Sequence, residues 1–260
     1  MSSKVPRPGW ALSLYPRAAE GGGCFVGYHQ PERNRGIRGS AVDPDRSGGE
    51  AARRARAKVR RFCAANGLSR LGTLTYAPPP DSVTVVRGVA VRCDDPKAVR
   101  ANVGAFFRTL RADLGGDPLP YVWVPELHAD GVNFHIHFAV GRYVHWKKVH
   151  AAWGHGGVNM KLLSDLPVGT KTLGEARRAA GYLSKYVTKT FTEATRPFGL
   201  HRYDVAQGFQ PTKVSLWGRC PEEVLDLASE TFGHDPTLRW SSSEVEDWQG
   251  PPAIWAQWGR

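Results

Sequence analysis

The alternation of apolar and polar positions is clearest between Tyr121 and Val140. Tyr121-Val122-Trp123-Val124-Pro125-Glu126-Leu127 and Asn133-Phe134-His135-Ile136-His137-Phe138-Ala139-Val140 are rich in β-branched and aromatic residues, so both read as strands. Asp130-Gly131 between them is a turn signal, and a hairpin is predicted. With those residues as the loop, Ala129 pairs with Val132 and Glu126 falls opposite His135. Alternation then sends Glu126, His135 and His137 to one face and Phe134, Ile136 and Phe138 to the other. His128 shares the polar face. A loop longer by one residue would reverse the parity and remove Glu126 from it.

Other patterns fill in the fold. Arg70–Tyr76 reads as a strand stopped by Pro78-Pro79-Pro80, with a second strand possible from Ser82 to Val91. Asp95 as cap and Pro96 at the first helical position open a helix whose Val99, Val103, Phe106, Phe107, Leu110 and Leu114 share one stripe, ending at Gly115-Gly116. His145–Trp153 fits a short amphipathic helix and Val158–Leu163 a strand. Thr172 with Glu175 is a capping-box signature. It starts a helix to Phe191 with Leu173, Ala176, Ala180, Leu183 and Val187 on its buried stripe. Pro221–Phe232 is a further helix. Residues 1–47, with Gly21-Gly22-Gly23 and Asn34-Arg35-Gly36, read as a loop-rich arm with at most a short strand near Phe25. These elements predict an α+β protein divided into an arm (1–47), a main domain (48–197) and a C-terminal extension (198–260) packed on it.

Charge narrows the partners. The chain has 260 residues and a formal charge of +11, a bias that suits a polyanion such as nucleic acid. Arg53, Arg54, Arg56, Lys58, Arg60 and Arg61 crowd a helix predicted from Gly49 to Asn66. A solvated face explains such a run in general, but here phosphate contact is credible. Cys24, Cys63, Cys93 and Cys220 show no paired spacing, which points to free thiols, and no apolar run has the length of a membrane span. A cytoplasmic protein with no membrane partner is expected.

Candidate chemistry sits in two places. Glu126, His135 and His137 have the donor types that bind a divalent metal with positions left open. On the Thr172–Phe191 helix, Tyr182, Lys185, Tyr186 and Lys189 form a stripe well over a quarter turn from the apolar one, beside Arg178. Tyrosines placed with lysines face a polar site, where cations favour the phenolate. His145, His150 and His155 share no evident face with another ligand type and read as surface histidines. Tyr203, Phe209, Trp217, Trp240, Trp248, Trp255 and Trp258 suit either base stacking or packing of a small C-terminal layer, the latter favoured.

His135-Ile136-His137 in a strand resembles the metal motif of the HUH endonuclease superfamily. Tyr182-Leu183-Ser184-Lys185-Tyr186-Val187-Thr188-Lys189 resembles the two-tyrosine motif of its rolling-circle replication initiators. Thr73-Leu74-Thr75-Tyr76 is similar to their first motif, and Glu126-Leu127-His128 followed by Asp130-Gly131 also recurs in them. The resemblance covers roughly residues 70–192. It implies a ferredoxin-like core, a central antiparallel sheet with the hairpin in its middle, helices on one face and the tyrosine helix over the metal side. It implies Mg²⁺ or Mn²⁺ on His135, His137 and Glu126, and attack by Tyr182 or Tyr186, in an order left open, with Lys185 and Lys189 assisting. The implied partners are single-stranded or hairpin origin DNA, with a host helicase and polymerase supplied in trans, since no phosphate-binding loop of the helicase type occurs. A relaxase or single-strand transposase shares this chemistry. A nucleic-acid-binding protein without catalysis is the rival from another class.

Overall fold

The computed structural model describes residues 8–27, 43–77, 95–127, 134–161, 172–192 and 202–259. The chain forms two compact units, residues 43–209 and residues 1–42 with 210–260. The expected strand at 82–91, the Asp130-Gly131 turn and His128 lie outside the described residues. The fold is α+β, with two antiparallel sheets and five α-helices among the described residues.

In the larger unit, α1 (Pro44–Asn66) leads to β3 (Arg70–Thr75), α2 (Pro96–Asp113), β4 (Tyr121–Leu127), β5 (Phe134–Val140), α3 (Trp146–Trp153), β6 (Val158–Lys161), α4 (Thr172–Thr192) and β7 (Asp204–Val205). The sheet order is β6-β3-β5-β4-β7, every neighbour antiparallel, so β3-α2-β4-β5-α3-β6 is a ferredoxin-like unit with β5 in the middle. The β4–β5 register sets Glu126 against His135, the pairing the hairpin predicts. Phe134, Ile136 and Phe138 are buried with Val99, Val103, Phe106 and Leu110 of α2 and Val149 and Trp153 of α3. Each such side chain contributes about 1.5–3 kcal/mol, which anchors the hairpin from its apolar side.

The other face differs from the expectation that helices occupy one face alone, apart from the tyrosine helix. Beyond the histidines that face is apolar, carrying Leu71, Val122, Val124 and Ala139, and both α1 and α4 cover it. Ala55, Val59, Phe62 and Cys63 of α1 meet Ala179, Ala180, Leu183 and Val187 of α4 there. Helix α1 also starts earlier than predicted. The Asp43 side chain accepts from the Arg46 backbone N–H at 2.9 Å and Pro44 takes the first helical position, which offsets the cost of Gly48 and Gly49 inside the helix. It stops at Gly67, whose φ of 62° suits a residue without Cβ.

Gly72 on β3 shows how tightly the sheet is packed. A Cβ there would lie 2.3 Å from the Phe138 ring and 3.0 Å from Met160 Sδ. Gly72→Ala is therefore expected to destabilise the unit by about 1–3 kcal/mol through overpacking, read as a lower midpoint in urea with an unchanged slope.

The smaller unit corrects the reading of the N-terminal segment as loop. β1 (Gly9–Tyr15) and β2 (Glu20–Val26) are joined by a short 3-10 helix, Pro16–Ala18, and take central places in a five-stranded sheet. The others are β8 (Val214–Gly218), β9 (Leu238–Ser241) and β10 (Ala253–Gln257), in the order β8-β1-β2-β10-β9. The three glycines lie within β2 because neighbours come too close for a side chain. A Cβ on Gly23 would sit 2.1 Å from the Ala11 carbonyl oxygen, and one on Gly21 would touch Leu12. Helix α5 (Pro221–Glu230) belongs to this unit, and fully buried Trp258 stacks on Phe232 while its indole N–H donates to Ser229 Oγ at 3.1 Å.

Candidate active site

The polar end of the α1/α4 face gathers side chains from four elements. β5 supplies His135 and His137, β4 Glu126, β3 Thr73, and α4 Tyr182, Tyr186 and Lys189. Thr73 faces His137 across the β3–β5 pair, and Thr75 faces His135. His137 is buried, and its Nε2 lies 2.7 Å from Glu126 Oε2 while its Nδ1 lies 3.0 Å from Thr73 Oγ1. Lys189 Nζ donates to Glu126 Oε1 at 2.6 Å.

Charge assignments follow from these contacts. Burial works to raise the Glu126 carboxyl, but the hydrogen bonds from Lys189 and His137 outweigh it and hold the group below its ordinary value. Burial pushes the His137 imidazole down, against the pull of Glu126. Neutral His137 thus donates Nε2–H to an ionised Glu126, and Nδ1 accepts from the Thr73 hydroxyl. Both shifts have the same consequence for stability. The unfolded chain binds more protons below the unperturbed histidine value of about 6.5, so stability present above it is lost as pH falls toward the lower folded value. Glu126 adds a further loss as pH falls through its own depressed value. Acidification from pH 7.5 to 4 is expected to lower the melting temperature in two overlapping steps. His137→Gln should weaken the upper step, and the half-buried His155, shifted down in the same way, should leave part of it.

The two tyrosines lie together over this pair. The Tyr186 hydroxyl donates to the Tyr182 hydroxyl oxygen at 2.8 Å, and the Tyr186 ring stacks on the His137 imidazole with centroids 3.5 Å apart. Burial first, then the bond to Tyr182, then the charge of Glu126 push the Tyr186 phenol well above its ordinary range. This runs against the expectation that neighbouring lysines favour the phenolate. The reason is geometric: Lys189 directs its ammonium at Glu126 and stands 5.9 Å from the Tyr186 ring centroid.

The remaining predicted residues fall further out. Lys185 and Arg178 are exposed on α4. Arg53 and Arg54 face solvent and pair with Glu50 at 3.2 and 3.7 Å. Arg56 is turned inward, donating to Thr188 Oγ1 at 3.0 Å, and Lys58 lies over the Tyr203 ring at 5.7 Å. Part of the basic run therefore serves the contact between α1 and α4 and Tyr203. Two site residues escape the sequence reading. Thr73 lies inside a quoted motif without a role, and Lys161 of β6 holds its ammonium 4.0 Å from the Tyr182 ring centroid. The alternation of Val158-Asn159-Met160-Lys161 against β3 was the available signal for Lys161.

The donor set suits a divalent metal in kind. Glu126 and His137 already meet, and His135 is in register opposite Glu126 on the same face. Among the described residues, no three histidine, cysteine or carboxylate groups converge closely enough to hold an ion as they stand.

The class defined so far is an α+β domain that brings two phenols against an imidazole–carboxylate pair. Residues 69–191 match the model of a replication-associated protein family, the ORF2 type, a stretch that contains all these side chains and spans a little under half the chain. The match supports a protein associated with DNA replication. No curated protein and no solved structure gives a significant match. Among the described residues no helix is long and apolar enough to cross a membrane.

Proposed function

We infer that the chain is a two-tyrosine HUH endonuclease that nicks and rejoins single-stranded DNA, initiating rolling-circle replication of a plasmid, phage or integrated element. The observation that carries this reading is the stacking of Tyr186 on His137 with the Tyr182 hydroxyl 2.8 Å from that of Tyr186. Residues nearly fifty positions apart in sequence meet where a phosphate could reach them all, and the replication-associated match covers the same segment.

His135, His137 and Glu126 would hold Mg²⁺ or Mn²⁺, which supplies Lewis-acid polarisation of the scissile phosphate. Thr73 fixes the His137 ring so that Nε2 faces Glu126. One tyrosine oxygen attacks phosphorus, its proton leaves, and the bond to the 3′ oxygen breaks. The departing oxygen takes a proton, giving a 5′-phosphotyrosine and a free 3′-OH. The second phenol repeats the attack at the regenerated junction, and the freed 3′-OH then displaces the first tyrosine to reseal a strand. Bond energy is retained throughout, so no nucleotide cofactor is needed. A helicase and polymerase come from the host.

The test is direct. The chain is incubated with Mn²⁺ and single-stranded oligonucleotides tiled across its own replicon, then run on a denaturing gel. A protein–DNA band that vanishes in EDTA is expected. Binding with no covalent band on any origin sequence would leave a nucleic-acid-binding protein without catalysis.

A further inference from the structure

A cleft beside the site has no part in the chemistry above. It is a cavity of about 480 Å³ at the β6 edge, lined by Arg70, Tyr143, Trp146, Asn159 and Lys161, with Val144, Val158 and Met160 as its floor. That volume lies within the roughly 300–1,000 Å³ of small-molecule sites. Two observations mark it. Among the described residues of this unit, Tyr143 and Trp146 are the large hydrophobic side chains left strongly exposed, at 69% and 54%, and both line this one cleft. Its charged residues are both cations. Trp146 is also held in place, stacked on His145 and edge-on to His150 with centroids 6.3 and 6.2 Å away.

We propose that this cleft binds a nucleotide of the single-stranded DNA flanking the scissile phosphate, its base stacked on Trp146 and Tyr143 and its backbone phosphate met by Lys161 and Arg70. Exposed aromatics beside cations are what a flexible polyanion with flat bases selects, whereas a peptide partner would leave the two cations unmatched. Lys161 connects the cleft to the chemistry, since it lines the cavity and stands over the Tyr182 ring. β6 is the sheet edge, paired with β3 alone among the described strands, so its outer backbone faces the bound strand. The exposed Asn159 amide, two residues from Lys161, is placed to contact a base edge. This inference rests on the DNA reading of the tyrosine site, and its test needs no cleavage.

The test uses the full chain in EDTA with a fluorescein-labelled oligothymidylate of about twelve nucleotides, followed by anisotropy. Trp146→Ala and Tyr143→Ala are each expected to weaken binding about fivefold or more, with Trp146→Phe retaining most of it. Lys161→Ala should reduce the slope of log Kd against log salt by about one. Should an alanine variant fail to fold by circular dichroism, wild-type chain is cross-linked to 5-iodouracil DNA, and the tryptic peptide Tyr143–Lys147 is the expected product. Unchanged affinity in folded variants, or cross-links confined to other peptides, overturns the cleft. A covalent band with Trp146-independent binding removes the cleft and keeps the nuclease. Trp146-dependent binding with no band does the reverse.

Discussion

The double variant Tyr182→Phe, Tyr186→Phe is expected to form no covalent DNA adduct, a loss of at least about a thousandfold, while each single variant keeps some. The geometry gives the reason. The two hydroxyls are 2.8 Å apart, so a phosphate placed for one lies within a small shift of the other, and removing one leaves a nucleophile at nearly the same place. The singles should differ. Tyr186→Phe takes away the proton donated to the Tyr182 oxygen. Tyr182→Phe takes away a partner that helps raise the Tyr186 phenol, and should bring the Tyr186 titration back toward its ordinary range in ultraviolet difference spectra. Quantified band intensity on one origin oligonucleotide checks all three variants.

Glu126→Ala should have the next largest effect. The carboxylate is the shared partner of His137 and Lys189, and as a proposed metal ligand its loss is expected to cut Mn²⁺-dependent nicking by about a hundredfold or more. Stability should change much less. Lys189 has a side chain 57% exposed and returns to water, and His137 keeps the Thr73 hydroxyl. A large loss of nicking with a nearly constant melting temperature at pH 7.5 therefore separates chemistry from folding. A collapse of the melting temperature would mean that Glu126 holds the sheet together.

The sequence made the core of this arrangement legible because local rules and tertiary packing agree there. The β4–β5 alternation admits one register that buries Phe134, Ile136 and Phe138, and that register alone sets Glu126 against His135. On α4 the apolar stripe of Ala176, Ala180, Leu183 and Val187 leaves the tyrosines at its margin, half-buried under the polar end of the sheet. Other features depend on distant contacts. Gly21-Gly22-Gly23 looks like loop because glycine carries no pattern, yet close approach of β1 makes those glycines fit a central strand. In α1 the arginines masked Ala55, Val59 and Phe62, so its role as a second cover for the histidine face could not be read. The raised Tyr186 phenol follows from a salt bridge between Lys189 and Glu126, sixty-three positions apart, which no local pattern announces.

Covalent attachment to one of two phenols is the central claim, and the digestion chemistry of α4 makes it directly measurable. Trypsin cuts after Arg178, Lys185 and Lys189, so Tyr182 leaves in Ala179–Lys185 and Tyr186 in Tyr186–Lys189. Protein reacted with Mn²⁺ and its origin strand is treated with nuclease and trypsin and analysed by mass spectrometry. Added nucleotide mass on one or both of these peptides is the expected result. Nucleotide mass on any other peptide, or intact unmodified forms of both beside fully cleaved DNA, would contradict the account.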